Sequence, residues 1–513
     1  MTMRRDTATP IGNTSDRSQL LFNQPSQGSV GRLIRVGVLW SGLFTMLTLV
    51  LNFVFTAFLA RMLAPQDYGL VAMVTVFSAL IIELTDMGLS LTTIQRPDLS
   101  LQQVHNLFWL NSGMGFIVGT CIIALAPLIS NFYSEPRLTP IAITSGITFA
   151  IRGIAVQPMA LLGRQMLFKQ AGSVKISSTI VSGLIALMLA FSGQGVWALV
   201  WQSLSSSITV LIMALILTGY RPGKVSRGSG TRPLIQFGGL LALNGMILYL
   251  ARNLDNLLIG RVWGASELGL YSRAYFLMSL PAAVTTGLVA PVMLSGLSAL
   301  QHDRERFGNT YRQAFRFTAI IGFPLAVGLG LVAPEAIQIA YGSRWSQVVP
   351  IFSWLAIAAA FQPIFSTSSW LFTSTGKVKA LFHSTILHSL LVGGSFLVGI
   401  QHGAIGVARA YTVAFVVLVT FPILYLAHRA AGLPFQSSLR TIAPAAASTM
   451  VMATTVLALN QAFQNSPTGW VTALAIKIAV AIICYGILIL TLDAWVRTML
   501  RTKRPRLRPR PAP

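Results

Sequence analysis

Residues 58–77 read FLARMLAPQDYGLVAMVTVF, and residues 253–275 read NLDNLLIGRVWGASELGLYSRAY. At an offset of 200 positions the two stretches share a motif: Arg61, Asp67, Gly69 and Leu70 in the first, and Arg261, Glu267, Gly269 and Leu270 in the second. In both, the spacing Arg-x5-acid-x-Gly-Leu joins the end of one long apolar run to the start of the next. Duplicated hydrophobic halves are a common build of membrane transporters. The repeat therefore bears on mechanism as well as on fold.

The rest of the chain agrees with that solvent. Of 513 residues, 54% are hydrophobic and only 10% charged, against about 25% charged in a soluble domain, and the mean hydropathy is +0.69. Apolar runs long enough to cross a bilayer as helices recur throughout, without the alternation of an outer-membrane barrel. The reading is an all-α polytopic membrane protein of about fourteen transmembrane helices. They fall near 36–60, 68–94, 106–130, 138–160, 176–192, 196–218, 234–260, 268–297, 317–340, 348–373, 380–400, 404–427, 441–463 and 470–495. Six spans per half place both motif copies in the same sense, a parallel repeat about an axis along the membrane normal. The expected organisation is a tail over 1–35, an N-lobe over 36–219, a linker over 220–233 and a C-lobe over 234–430. An extra helix pair over 431–496 and a basic tail over 497–513 follow.

The net charge of +24 does not point to nucleic acid, because the basic residues sit in short loops with no aromatic interleaving. With the amino terminus inside, 28 of the 37 Lys and Arg residues face the cytoplasm and four face the other side. That asymmetry is the positive-inside pattern and places both termini in the cytoplasm. The first 35 residues lack the apolar core of a cleavable signal. For the tail from Arg501 to Arg510, a topogenic anchor is preferred over binding of anionic lipid. Cys121 and Cys484 lie inside apolar runs and read as small buried hydrophobes. Neither cofactor nor metal is expected.

Eight ionisable side chains within spans are singled out: Glu83, Asp86, Arg152, Arg252, Asp255, Arg273, Arg409 and Lys477. Each would cost about 2.5–3.5 kcal/mol at the centre of an isolated helix, so each must line a wet cavity, find a partner or reach an interface. Arg273, Arg409 and Lys477 lie near span ends and are expected to snorkel. Arg252 and Asp255 share a helical face; local pairing and a substrate or coupling role both stay open. Glu83 and Asp86 also share a face without a basic residue in their span, which leaves proton or cation exchange and pairing with another helix as alternatives. Arg152 is the deepest cation, placed to hold a phosphate by bidentate hydrogen bonds. At the 200-residue offset Arg252 and Asp255 meet Asn52 and Phe55, so charge chemistry must be asymmetric between the halves. Pro281, Pro291, Pro324 and Pro363 permit kinks, and Gly115 with Gly119 forms a GxxxG expected to pack helices closely.

The stretch 58–77, followed by ELTDMGLSLTTIQR at 83–96, resembles the first-loop and second-span signature of the oligosaccharide flippase (repeat-unit exporter) family. Residues 253–275 resemble that family's seventh-to-eighth segment. The family belongs to the superfamily that includes multidrug and toxin extrusion transporters and the lipid II flippase. The likeness covers about residues 30–430, nearest to the branch serving lipopolysaccharide, capsule or exopolysaccharide assembly. It implies two six-helix lobes around a cationic, hydrated central cavity. It also implies ion-coupled transfer of undecaprenyl-diphosphate-linked oligosaccharide across the inner membrane, with membrane lipids and a polysaccharide polymerase as partners. It carries over no residue-level ligand set. The candidate residues therefore rest on depth and helix face: Arg152, Arg252, Arg273, Arg61 and Arg261 for diphosphate or glycan, and Glu83, Asp86 and Asp255 for the coupling ion. A cation-coupled drug antiporter predicts acids dominating the spans, whereas bases outnumber acids five to three among the eight residues singled out above. A membrane glycan polymerase or transferase would need a large catalytic loop, for which the connections near 131–137 and 461–469 hold few candidates.

Overall fold

The computed structural model describes residues 27–86, 93–94, 99–226, 232–301, 303–464 and 469–501. Side chains are described for fewer of these, and those of Glu83, Asp86 and Arg252 lie outside them, as do both tails. The first half comprises α1 (Gln27–Met62), α2 (Pro65–Asp86), α3 (Leu101–Tyr133), α4 (Leu138–Arg164), α5 (Phe168–Phe191) and α6 (Val196–Thr218). A continuous helical stretch, Arg232–Ala299, breaks at Gly264 into α7 (232–263) and α8 (265–299). Then come α9 (Arg304–Leu331), a short α10 (Ala333–Ala340), α11 (Val348–Ser374) and α12 (Val378–Gly399). The next span, α13, runs through Gly403–Val413, a π-helical segment Ala414–Thr420 and Phe421–Ala431. The chain ends in α14 (Phe435–Gln464), α15 (Trp470–Leu492) and α16 (Ala494–Arg501). All but α10 and α16 are long, so the described residues hold fourteen long helices, the number of spans expected. The ninth stops earlier than its hydropathy suggests, at Leu331, and α10 follows as a separate eight-residue helix.

Ten segments among the described residues are long and apolar enough to cross a membrane, and large apolar side chains such as Phe191, Ile216, Leu390, Val398 and Met450 stand exposed on them. An exposed apolar surface of this kind is stable only against lipid. This is a multi-pass membrane protein.

The chain falls into two compact units, residues 1–59 with 74–249 and residues 60–73 with 250–513. In the first, the GxxxG of α3 packs as expected: a Cβ on Gly115 would lie 2.7 Å from Gly153 Cα, and one on Gly119 would lie 2.5 Å from the Gly146 carbonyl of α4. Small residues bring two backbones together where lipid provides no hydrophobic drive. The linker start is strapped to α3. Asn106 exchanges hydrogen bonds with both backbone groups of Ser226, and Trp109 donates to the Gly223 carbonyl at 2.8 Å.

In the second unit the two motif copies pack on each other reciprocally. A Cβ on Gly69 would overlap the carbonyl of Ala265, and a Cβ on Gly269 would overlap the carbonyl of Pro65. Each glycine thus rests on the residue four positions before the other, as a local two-fold relation requires. The helix pair at the carboxyl end is fastened to the same unit by polar bolts. Lys477 of α15 forms a buried ion pair with Glu335 of α10, both side chains under 10% exposed. Tyr485 donates to the Ile320 carbonyl at 2.7 Å, and Arg316 of α9 pairs with the fully buried Asp493 at 2.8 Å. Lys477 therefore does not snorkel: an acid that lies outside the predicted charge clusters neutralises it locally. Arg409 is exposed with its guanidinium 5.4 Å from the Trp354 ring, as an interfacial cation would be. Pro324 and Pro363 sit inside continuous helices.

Candidate functional site

Two pockets with polar lining, one in each unit, stand out among the described residues. The first is built on Arg152, near the middle of α4. Its Nε donates to Ser207 Oγ at 3.0 Å and its Nη2 to Ser203 Oγ at 3.5 Å, both on α6, and its guanidinium carbon lies 5.5 Å from the Phe149 ring. With Ser206, Met159 and Val210 it lines a pocket of about 350 Å³. No carboxylate pairs with it among the described residues. The hydroxyls orient the guanidinium without cancelling its charge, so it is poised for an anion.

The second is a cavity of about 460 Å³ in the other unit, walled by α7, α8, α11, α12 and α13. From α11 come Gln362, Phe365, Ser366 and Ser369, and from α12 Ser384, Thr385, His388 and Ser389. Both sets recur at three- and four-residue steps, one face of a helix. The π segment of α13 opens beside it: Tyr411 and Phe415 stack at 5.5 Å, and Thr420 Oγ1 donates to the Phe415 carbonyl five residues back. Such bulges are frequent at functional sites. Phe365 meets Phe415 at 5.3 Å and His388 at 5.2 Å between ring centroids.

Asp255 lines this cavity and is 1% exposed. Tyr271 donates its hydroxyl to Oδ2 at 2.8 Å, and the Asn256 backbone donates to Oδ1 at 2.8 Å. The amide oxygen of Asn256 is buried without a hydrogen-bond partner. Of the other predicted residues, Arg252 shares helix α7 with Asp255, and Glu83 and Asp86 lie on α2, but their side chains are outside those described. Arg273 is half-buried; its guanidinium lies 4.6 Å from the Tyr68 ring and 5.6 Å from Phe276, and its Nε has no partner. The hydroxyls of Tyr68 and Tyr341 are likewise buried and unpartnered. Arg61 donates to the carbonyls of Ile339 and Ala340, closing the carboxyl end of α10, while Trp345 donates to the Ala60 carbonyl. Carbonyls at a helix end are a natural partner for a cation. Arg261 is exposed. None of the five predicted arginines is among the described residues lining the Asp255 cavity.

The hydroxyl-bearing wall escaped a search restricted to charge. Its signal is present in the sequence as Ser366, Thr367, Ser368 and Ser369, a polar cluster inside an apolar run. Glu335 falls inside the ninth expected span, 317–340, but is not among the eight charges singled out; the structure ends that helix at Leu331 and places Glu335 on α10.

Residues 58–350 match the family described as polysaccharide biosynthesis protein, and residues 239–481 match the family of the lipid II flippase MurJ. The chain is 25% identical over 378 residues to the lipopolysaccharide biosynthesis protein WzxC of Escherichia coli (strain K12), covering 73% of this chain and 77% of that one. It is 24% identical over 477 residues to the succinoglycan biosynthesis transport protein ExoT of Rhizobium meliloti (strain 1021), covering 92% and 96%. Its fold is that of lipid II flippase MurJ in an inward closed conformation, with a TM-score of 0.70, 15% identity and coverage of 90% of this chain and 100% of that one. It is also similar to an inward-facing multidrug resistance MATE family transporter, with a TM-score of 0.58, 14% identity and coverage of 75% and 95%. With more than half of its length matched, this chain belongs to the polysaccharide biosynthesis protein family.

Proposed function

We propose that the protein is a flippase that carries a polyprenyl-diphosphate-linked oligosaccharide from the cytoplasmic to the periplasmic leaflet of the bacterial inner membrane. The glycan would serve lipopolysaccharide, capsule or exopolysaccharide assembly, and a polymerase in the same pathway would consume it. The protein breaks no bond in the substrate. It exposes polar surface alternately to the two faces of the membrane while the polyprenyl tail stays in hydrocarbon.

The observation that carries this reading is Arg152, a guanidinium halfway along a transmembrane helix with no carboxylate paired to it among the described residues, in a chain of this family. In hydrocarbon such a group costs about 2.5–3.5 kcal/mol even on insertion scales, and its serine partners leave its charge available to a diphosphate. Arg252, Arg273 and Arg261 are further candidates for the same ligand; Arg61 is already engaged with backbone. Asp255, with Tyr271 and the free amide oxygen of Asn256 beside it, is the group best furnished to take a coupling proton or sodium ion. Glu83 and Asp86 are alternatives on α2.

Leaflet-resolved transport of labelled lipid-linked oligosaccharide in proteoliposomes tests the proposal. Wild-type protein accelerates transfer, Arg152→Ala abolishes most of it and Arg152→Lys retains part. Unchanged flipping by Arg152→Ala removes that residue from the mechanism. Wild-type protein that moves no polyprenyl-diphosphate glycan overturns the function.

A further inference from the structure

We propose that the cavity walled by α7, α8, α11, α12 and α13 is a binding site for an uncharged sugar residue. The assignment of a glycan to this protein rests on the function proposed above; the chemistry of the ligand follows from the cavity itself.

A hydroxyl is one donor and two lone pairs. In this wall four hydroxyls have their donors already spent. Ser366 donates to the Pro363 carbonyl at 2.6 Å, Ser368 to Phe365 at 2.7 Å, Ser369 to Ser366 at 2.7 Å and Thr385 to Leu381 at 2.9 Å. Hydroxyls bonded back to their own helix present only acceptor lone pairs to the space they line. A diphosphate, which is itself all acceptor, gains nothing from these four. The described lining residues include neither lysine nor arginine, and they include the carboxyl of Asp255. A uronate or phosphate placed beside that carboxylate in an apolar setting meets like charge at low dielectric, a strong element of exclusion. What fits is a ligand rich in O–H donors and free of negative charge.

The aromatic surface narrows this further. Phe365, Phe372, Phe396, Tyr411 and Phe415 supply ring surface between the hydroxyls. The face of an aromatic ring is negative, and the C–H bonds on one face of a pyranose are weakly positive. Ring surfaces alternating with acceptors therefore match a molecule that is apolar on its faces and hydroxylated at its rim. The volume lies within the roughly 300–1,000 Å³ typical of small-ligand sites.

A cysteine at Ser389, introduced after Cys121 and Cys484 are replaced, reports occupancy through its rate of modification by a water-soluble thiol reagent. The probes are methyl hexosides, glucuronate and sodium chloride against a choline background. Neutral hexoside at tenfold its Kd is expected to slow labelling about tenfold, since only unoccupied protein reacts, without sodium and with glucuronate ineffective. Protection by sodium alone assigns the cavity to a cation and overturns the proposal, as does equal protection by glucuronate or protection by none of the probes. Ser366→Ala with Ser369→Ala, which deletes acceptors and needs no new packing, is expected to weaken hexoside protection severalfold. Calorimetric titration of methyl hexoside into wild-type protein reads the same binding without the cysteine, and absence of binding there overturns the proposal as well. Flipping by wild-type protein with no protection removes the sugar site and leaves the flippase standing; protection with no flipping does the reverse.

Discussion

The two copies of the motif occupy equivalent places and have been put to different uses. In the first, the helix break is made by Ala64 and Pro65, with Asp67 accepting from the Ala64 amide at 2.9 Å. In the second, the equivalent break is Gly264, at φ +82 and ψ −175, a conformation open to glycine and strained for other residues. Position 55 is Phe and position 71 is Val; their counterparts Asp255 and Tyr271 form the buried hydrogen-bonded pair. Met73 corresponds to Arg273, which lies over Tyr68. The first copy has kept the packing and the second has gained the chemistry. The same offset relates Glu135 to Glu335. The former pairs within its own turn with Arg137 at 2.8 Å, with side chains 22% and 52% exposed; the latter reaches the added helix α15 and is buried with Lys477.

The reciprocity of the glycines is open to the harshest test. Gly69→Ala and Gly269→Ala each drive a Cβ into a backbone carbonyl, which cannot yield as a side chain does, so the cost exceeds the ~1–3 kcal/mol of ordinary overpacking. Both variants are expected to lose monodisperse protein on detergent extraction, to the same degree. One tolerated and one lethal substitution would break the local two-fold relation.

The glutamate pair comes next. Glu335→Gln leaves Lys477 charged, buried and alone, and should lower unfolding stability in detergent by about 3–5 kcal/mol, with Glu335→Leu plus Lys477→Met recovering most of it. Glu135→Gln should change the same measurement by no more than about 0.5 kcal/mol, as expected of an exposed pair. Equal effects would mean that α15 is not held by its ion pair.

Tyr271→Phe removes the donor to Asp255 Oδ2 and should cost about 1–3 kcal/mol, the penalty for a buried acceptor left unmet. It should also alter the ion dependence of transport. Phe55→Leu, the matching site in the first half, should leave that dependence intact; a shift there would make the halves equivalent after all.

The smallest effect is a pH dependence. The hydrogen bond from Arg137 holds the Glu135 carboxyl below its ordinary value. Its contribution is therefore present above the unfolded-state pKa and fades as the pH falls through the folded one. Comparing wild type with Glu135→Gln by thermal unfolding between pH 7 and strongly acidic buffer should show a slight convergence at the acid end. Divergence there would reverse the assigned sign.

Much of the architecture was legible because a bilayer imposes one-dimensional rules. A span must be apolar for about 20 residues, its backbone must be helical, and loop charge sets its direction. The repeat was legible because both copies kept Gly and Leu at one spacing. The site was only partly so. Asp255 and Arg152 stand out in the sequence as candidates because charge in a membrane is conspicuous. The sugar-facing wall was overlooked because serine in a helix is unremarkable until several serines share a face.

The sequence alone determined the number of long helices, their approximate limits and the duplication, since each depends on composition and spacing within a short stretch. The partners of the charges were decided only by the tertiary structure. Lys477 finds Glu335 across 142 positions, Arg316 finds Asp493 across 177, and Asp255 finds Tyr271 across a helix break. Partner choice depends on which helix faces come into register, and in a medium that rewards contact without direction, close packing of small residues sets that register.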